Sequence, residues 1–223
     1  MRSTLTSAVC LISLALPSAA EVICDGTVVT VNTNDGQVAE MVCQSAARAE
    51  TLFEQCNVPK LEKPVRIDIV DSLMPRCVAV YHCGEDLIEV LTPTLMDAKR
   101  EEKSAFSFLP IDAYFRSVII HELVHAAFDL VPCPFASCTV GNEYVAYSIQ
   151  VESLTPEEQQ SFEDAAALDR RIFRDELNIM IYELAPHRFA QKAWVHFKQR
   201  EDPCGFVGQI TQGTVLLDYE RFE

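Results

Sequence analysis

Positive charge is scarce in this chain. Eighteen Lys and Arg stand against 33 Asp and Glu, for a formal charge of −15 over 223 residues. A surface of that sign repels phosphate backbones and anionic lipid, which argues against nucleic-acid binding and electrostatic attachment to membranes. The acids are spread along the sequence, so they specify no substrate beyond a mild repulsion of anions. Internal repeats, low-complexity tracts and CxxC pairs are also missing. Without a CxxC pair, a thiolate zinc module is disfavoured. Long apolar runs are absent beyond the first twenty residues. The most apolar later stretch, Val118 to Val131, is interrupted by His121, Glu122, His125 and Asp129 and does not read as a membrane span.

Those first twenty residues do not read as fold. Arg2 supplies a short positive region, Leu5 to Leu16 an apolar one, and Pro17-Ser18-Ala19-Ala20 a breaker with small residues. That order is a secretory signal peptide cleaved after Ala20, implying a periplasmic or secreted protein without membrane insertion after cleavage. Cleavage removes one cation and no acid, so the exported form is more negative still. Residues 21–223 then suit a single domain, with a core of about 38–154 and a helical extension over 155–223.

Cysteine use agrees with export. Setting aside Cys10 leaves Cys24, Cys43, Cys56, Cys77, Cys83, Cys133, Cys138 and Cys204, an even set that predicts four disulfides. Cys43 and Cys56 fall on opposite sides of one predicted helix, about 20 Å apart, and should not pair with each other. Cys133 and Cys138 flank a short Pro-containing loop and can pair locally.

Periodicity predicts an α+β chain. Val22 to Val31 alternates as a strand or hairpin. Val38 to Cys56 carries apolar residues at helical spacing, and Val65 to Val70 alternates as a half-buried strand. Cys77 to Cys83 and Asp86 to Leu91 form a hairpin about Gly84-Glu85. Thr92 to Leu109 is a loop with a short helix. Pro110 opens a helix over Ile111 to Leu130, stopped by Pro132. Gly141-Asn142 opens another, to about Leu154. Thr155 restarts a long helix to about Leu184, Pro186 to Gln199 forms one more, and Thr214 to Tyr219 suits a final strand. The expected architecture is a helix, a small antiparallel-edged sheet, two helices carrying the candidate site, and a helical C-terminal part.

The chemistry sits in Ile120-His121-Glu122-Leu123-Val124-His125. Residues four apart share a helix face, so the two imidazoles converge on one metal ion, and Glu122 beside them can serve a bound water as general base. This HExxH pattern implies a Zn2+ cofactor, which would lower the pKa of that water to about 7. A catalytic zinc needs a third protein ligand. Asp129 lies about 12 Å along the axis from His121, too far to share the ion, so it suits the surroundings of the site or solvent. No glycine follows His125 to bend the chain back. Glu143 opens the next helix after a loop long enough to reverse direction, and Glu152 is the reserve.

His121-Glu122-x-x-His125 followed by Asn142-Glu143 resembles the gluzincins, the thermolysin-like and aminopeptidase-like zinc peptidases, over about Val38 to Leu154. In that family a glutamate of the next helix, often within an Asn-Glu pair, completes the metal site, which implies His121, His125 and Glu143 as ligands and Glu122 as base. The resemblance also implies that the first hairpin strand, about Val78 to His82, is the sheet edge lining the cleft, with a peptide or protein as substrate. Where many members carry an Asp four residues after the ligand glutamate, this chain has Tyr147.

An oxyanion formed in peptide hydrolysis needs a further donor. Tyr147, one turn beyond Glu143, is the candidate chosen, with Tyr144 and His187 behind it. His82 and His196 read as structural or surface residues and Trp194 as core. The alternatives are a zinc hydrolase of another amide or ester, and a non-catalytic exported binding protein whose metal site is structural or lost.

Overall fold

The computed structural model describes residues 20–219. Apart from Ala20, the leader read over residues 1–20 lies outside them. The chain is α+β, with one mixed sheet and eight α-helices among the described residues. Strand β1 (Ala20–Ile23) turns into β2 (Val29–Thr33), and helix α1 (Gly36–Cys56) follows. Asp35 opens α1 by accepting the amides of Gln37 and Val38, and Asn57 closes it in the left-handed conformation, which Asn tolerates better than most residues. Strand β3 (Val65–Val70) comes next, then the hairpin of β4 (Ala79–His82) and β5 (Leu87–Leu91).

The strand order is β1-β2-β3-β5-β4. The centre is parallel, β2 to β3 and β3 to β5, and only the edge strands β1 and β4 run antiparallel to their neighbours. The antiparallel edges match the sequence reading; the parallel centre was not legible in it. It arises because α1 carries the chain back between β2 and β3, and β4, running antiparallel to β5, carries it back between β3 and β5. Alternation buries Val29, Val31, Val65, Ile67 and Ile88 toward the helices. Arg66 and Asp68 pair on the other face, where Asn32 also donates to Asp68.

Helix α2 (Pro93–Lys99) leads to α3 (Ile111–Phe128), which is buried on nearly every side. It packs against α1, α2, strand β4 and α4 (Thr139–Glu152). Because His125 meets Asn142 and His121 meets Gln150, α3 and α4 run antiparallel.

The C-terminal part corrects two expectations. Helix α5 (Pro156–Ala166), opened by a Thr155–Glu158 capping box, ends where Ala167 turns left-handed. A 3-10 turn at Arg174–Glu176 intervenes before α6 (Ile179–Leu184). One continuous helix to Leu184 therefore does not form, because Asn178 caps a fresh start by accepting the Ile181 amide. After α7 (Pro186–Lys198), helix α8 (Pro203–Thr211) was not anticipated, although Asp202-Pro203 is an N-terminal helix signal that could have revealed it. Thr214 to Tyr219 is an irregular strap, not a strand.

Three disulfides form among the described residues: Cys24–Cys43, Cys56–Cys204 and Cys133–Cys138. The last is the local pair expected, and Cys43 and Cys56 indeed take separate partners. The fourth bridge is absent: Cys77 and Cys83 are free thiols. They stand on either side of the four-residue strand β4 (Ala79–His82), whose extended course separates them. No helix among the described residues is long and apolar enough to cross a membrane.

Candidate metal centre

Helix α3 presents His121 and His125 one turn apart, with Nε2 atoms 3.1 Å from each other. Helix α4 brings Glu143 to both: Oε2 lies 3.7 Å from His121 Nε2 and Oε1 3.7 Å from His125 Nε2. The three donor atoms lie within 4.8 Å of one another, in a largely buried setting. This group could hold a metal ion.

The hydrogen bonds around it fit a cation. His121 Nδ1 meets Gln150 Oε1 at 3.0 Å, and His125 Nδ1 meets Asn142 Oδ1 at 2.8 Å. An amide oxygen only accepts, so each Nδ1 carries the proton and each Nε2 turns a lone pair inward. The orientation of Gln150 is set in turn. Its Nε2 donates to Ser117 Oγ at 3.2 Å, and the Ser117 hydroxyl donates to the Tyr114 carbonyl at 2.8 Å. Glu143 Oε1 accepts from the Tyr182 hydroxyl at 2.7 Å, while Oε2 is buried without a hydrogen-bond partner. Two imidazole lone pairs and an orphaned carboxylate oxygen therefore face one another, an arrangement that calls for a cation or a hydrogen-bond donor between them.

Electrostatics follow from this crowding. Burial, then the neighbouring His125, holds His121 well below its ordinary pKa, with the Gln150 contact opposing. Burial would lower His125 too, but the Glu143 and Glu122 carboxylates outweigh it and raise its pKa. Glu143 is raised by burial, against the pull of His125 and Tyr182. Glu122 is pushed up to about 7, chiefly by burial, with His125 opposing and Glu143 adding to the rise. The Tyr81 backbone amide bonds to the Glu122 carboxylate, tying the edge strand to the side chain beside the metal group.

The site opens on a cleft of about 700 Å³, bounded on one side by β4 and on another by Tyr182 and His187. Tyr147 faces this cleft, its ring 4.6 Å from that of His121 in an edge-on contact. Burial, followed by the Glu143 charge, holds its phenol protonated.

Of the residues singled out in the sequence, His121, Glu122, His125, Glu143, Tyr147 and His187 share this cleft. Tyr144 does not: it is fully buried, with its hydroxyl 3.0 Å from His196 Nδ1. Glu152 is half-buried elsewhere, within the field of Lys198 and Arg48. Asp129 lies apart from the metal group and accepts the Tyr81 hydroxyl at 2.7 Å and the Gly84 amide at 2.9 Å. His82 pairs with Glu89, and Trp194 is fully buried.

Three participants escaped the sequence. Gln150, Ser117 and Tyr182 stand in patterns that any packed helix shows, and nothing local distinguishes them. Asn142 was visible in the Asn-Glu pair, but its bond to His125 was not.

Compared with the curated proteins and with the solved structures, the chain finds no match. A protein-family profile matches residues 29–220, which takes in every residue of the metal group. The chain belongs to that family, described as a family of unknown function (DUF6639).

Proposed function

We propose that this protein is an exported zinc-dependent hydrolase, a small peptidase of gluzincin type. The observation that carries this reading is the convergence of His121, His125 and Glu143 on one point at the wall of an open cleft, with Glu122 next to them. Two neutral imidazoles held by amide oxygens and one carboxylate make a donor set suited to zinc. The set has three protein donors and faces a cleft, whereas a structural zinc site is closed by a fourth. That favours catalysis over a purely structural metal.

His121, His125 and Glu143 would hold the zinc, which when bound would supply Lewis-acid polarisation of a carbonyl and lower the pKa of a water to about 7. The Glu122 carboxylate, desolvated and steadied by the Tyr81 amide, takes the proton from water and passes it to the leaving nitrogen. The Tyr147 hydroxyl, kept protonated by burial, donates to the developing oxyanion. Tyr182 holds Glu143 in place.

An extended peptide suits this cleft better than another amide or ester does. Strand β4 is a sheet edge. Its ladder with β5 uses the backbone groups of Val78, Val80 and His82, as the Leu91 amide bond to the Val78 carbonyl fixes the alternation. The Ala79 groups therefore point to the open side, where a substrate chain can add as a strand.

The test is a metal analysis joined to a peptide-library cleavage screen on the wild type and Glu122→Gln. The wild type should hold about one zinc per chain and cleave peptides. The variant should keep zinc and fold but lose cleavage. Equal turnover in the two would remove Glu122 from the chemistry. A wild type that binds no zinc overturns the reading altogether.

A further inference from the structure

Helix α4 carries Asn142 and Glu143 within its first five residues. That is the part of a helix most prone to fray, because its leading amides have no intrahelical acceptor. A residue just before the helix ordinarily accepts those amides, but the N-cap position here is Cys138, which makes no side-chain cap bond and is engaged in a disulfide with Cys133. The acceptor comes from the far end of the chain. Asp218 Oδ1 takes the Val140 amide and Oδ2 the Gly141 amide, each at 2.9 Å. These are the second and third residues of the helix, the donors that a local cap would satisfy. The carboxylate also places negative charge at the positive end of the helix.

The strap that delivers Asp218 is anchored. Leu217 is buried in the core, and Arg174 donates to the Leu216 carbonyl. Val215 to Asp218 line one small cavity together with Phe128, Val131 and Pro132, where α3 ends, and Cys138 and Gly141, where α4 begins. The strap thus lies beside the end of the helix that bears His121 and His125 and bonds to the first turn of the helix that bears Glu143.

We infer that the C-terminal strap is a latch on the metal centre, with Asp218 as a positioning residue that holds Glu143 and Asn142 in binding geometry by capping α4. The inference rests on the metal reading above. It entails reciprocity: a docked strap tightens metal binding, and bound metal tightens strap docking by the same factor. A strap that served only general stability would leave metal affinity unchanged in any variant that still folds.

Zinc titration against a chromophoric chelator, on full-length wild type, Asp218→Ala and Asp218→Asn, tests this. Asp218→Ala is expected to bind zinc about five- to tenfold more weakly, on the scale of one lost helix cap. Asp218→Asn, which keeps one acceptor oxygen, should fall between it and the wild type. In the wild type, zinc should slow amide hydrogen exchange at 139–143 and also at 214–219. Equal zinc affinity in a folded Asp218→Ala, or exchange in the strap that ignores zinc, overturns the latch while leaving the metal site intact. Should Asp218→Ala not fold, Asp218→Asn and the wild-type exchange measurement decide. A wild type that binds no zinc overturns the metal reading and the latch together.

Discussion

The Tyr182 hydroxyl on α6 donates to Glu143 Oε1 on α4 across 2.7 Å, and it leaves the other carboxylate oxygen without a partner. This single bond leaves Oε2 as the oxygen of Glu143 open to a metal ion. Tyr182→Phe keeps the ring contact with Phe189 and removes only the donor. Zinc affinity should drop by about tenfold, at the low end of what outer hydrogen-bond partners of metal ligands contribute. A chelator competition titration measures it, and unchanged affinity would show that the carboxylate holds its place without the phenol.

Glu143 is distinguishable from its rivals. Glu143→Ala should weaken zinc binding by orders of magnitude, whereas Glu152→Ala and Asp129→Ala should do far less, because neither side chain belongs to the metal group. Asp129→Ala should instead loosen the hairpin, since Tyr81 and Gly84 lose their shared acceptor. Zinc content after gel filtration, measured for the three variants side by side, separates them. Full zinc retention in Glu143→Ala would end the gluzincin comparison.

Thiol chemistry has a definite count. Denatured and unreduced, a chain of residues 21–223 should titrate with two thiols, Cys77 and Cys83. Zero thiols would mean that strand β4 had opened to let them meet or that they had paired between chains. Breaking Cys56–Cys204, which closes a loop of 148 residues, should cost about 2–5 kcal/mol of stability. Urea unfolding of the Cys56→Ser, Cys204→Ser double variant reads that cost.

Stability should also depend on pH through His196. This imidazole is buried between the Tyr144 hydroxyl and the Arg200 guanidinium. Burial, then Arg200, lowers its pKa from 6.5 to about 4. The folded state keeps it neutral while the unfolded chain takes up a proton, so stability falls as pH drops below about 6.5 and the fall levels off near 4. Denaturant unfolding between pH 7 and pH 4 should give a steeper loss for the wild type than for His196→Gln. Identical slopes would assign the acid sensitivity to the carboxylates instead.

Much of the architecture was legible because it obeys local periods. The alternation of Val65 to Val70 and the helical spacing of Val38 to Cys56 became β3 and α1 within two residues of their expected limits. The spacing of His121 and His125 put both imidazoles on one helical face, and Asn142-Glu143 after a reversing loop pointed to the acid that meets them. Where local signals conflicted, the reading failed. Ala165 to Leu177 has enough apolar residues to resemble a helix, but Ala167 and Asn178 break it.

The sequence by itself determined the two-histidine motif, the glutamate beside it and the local Cys133–Cys138 pair, since each is written in neighbours or fixed spacings. Only the tertiary structure decided which of several tyrosines faces the metal group and which is core. It also selected Gln150 and Asn142 to orient the imidazoles and Asp218 to cap the helix of Glu143. The physical reason is distance along the chain. The Gln150, Tyr182 and Asp218 contacts join residues separated by 29, 39 and 77 to 78 positions. No helical or strand period relates residues so far apart, and their meeting depends on how α3, α4, α6 and the C-terminal strap pack together.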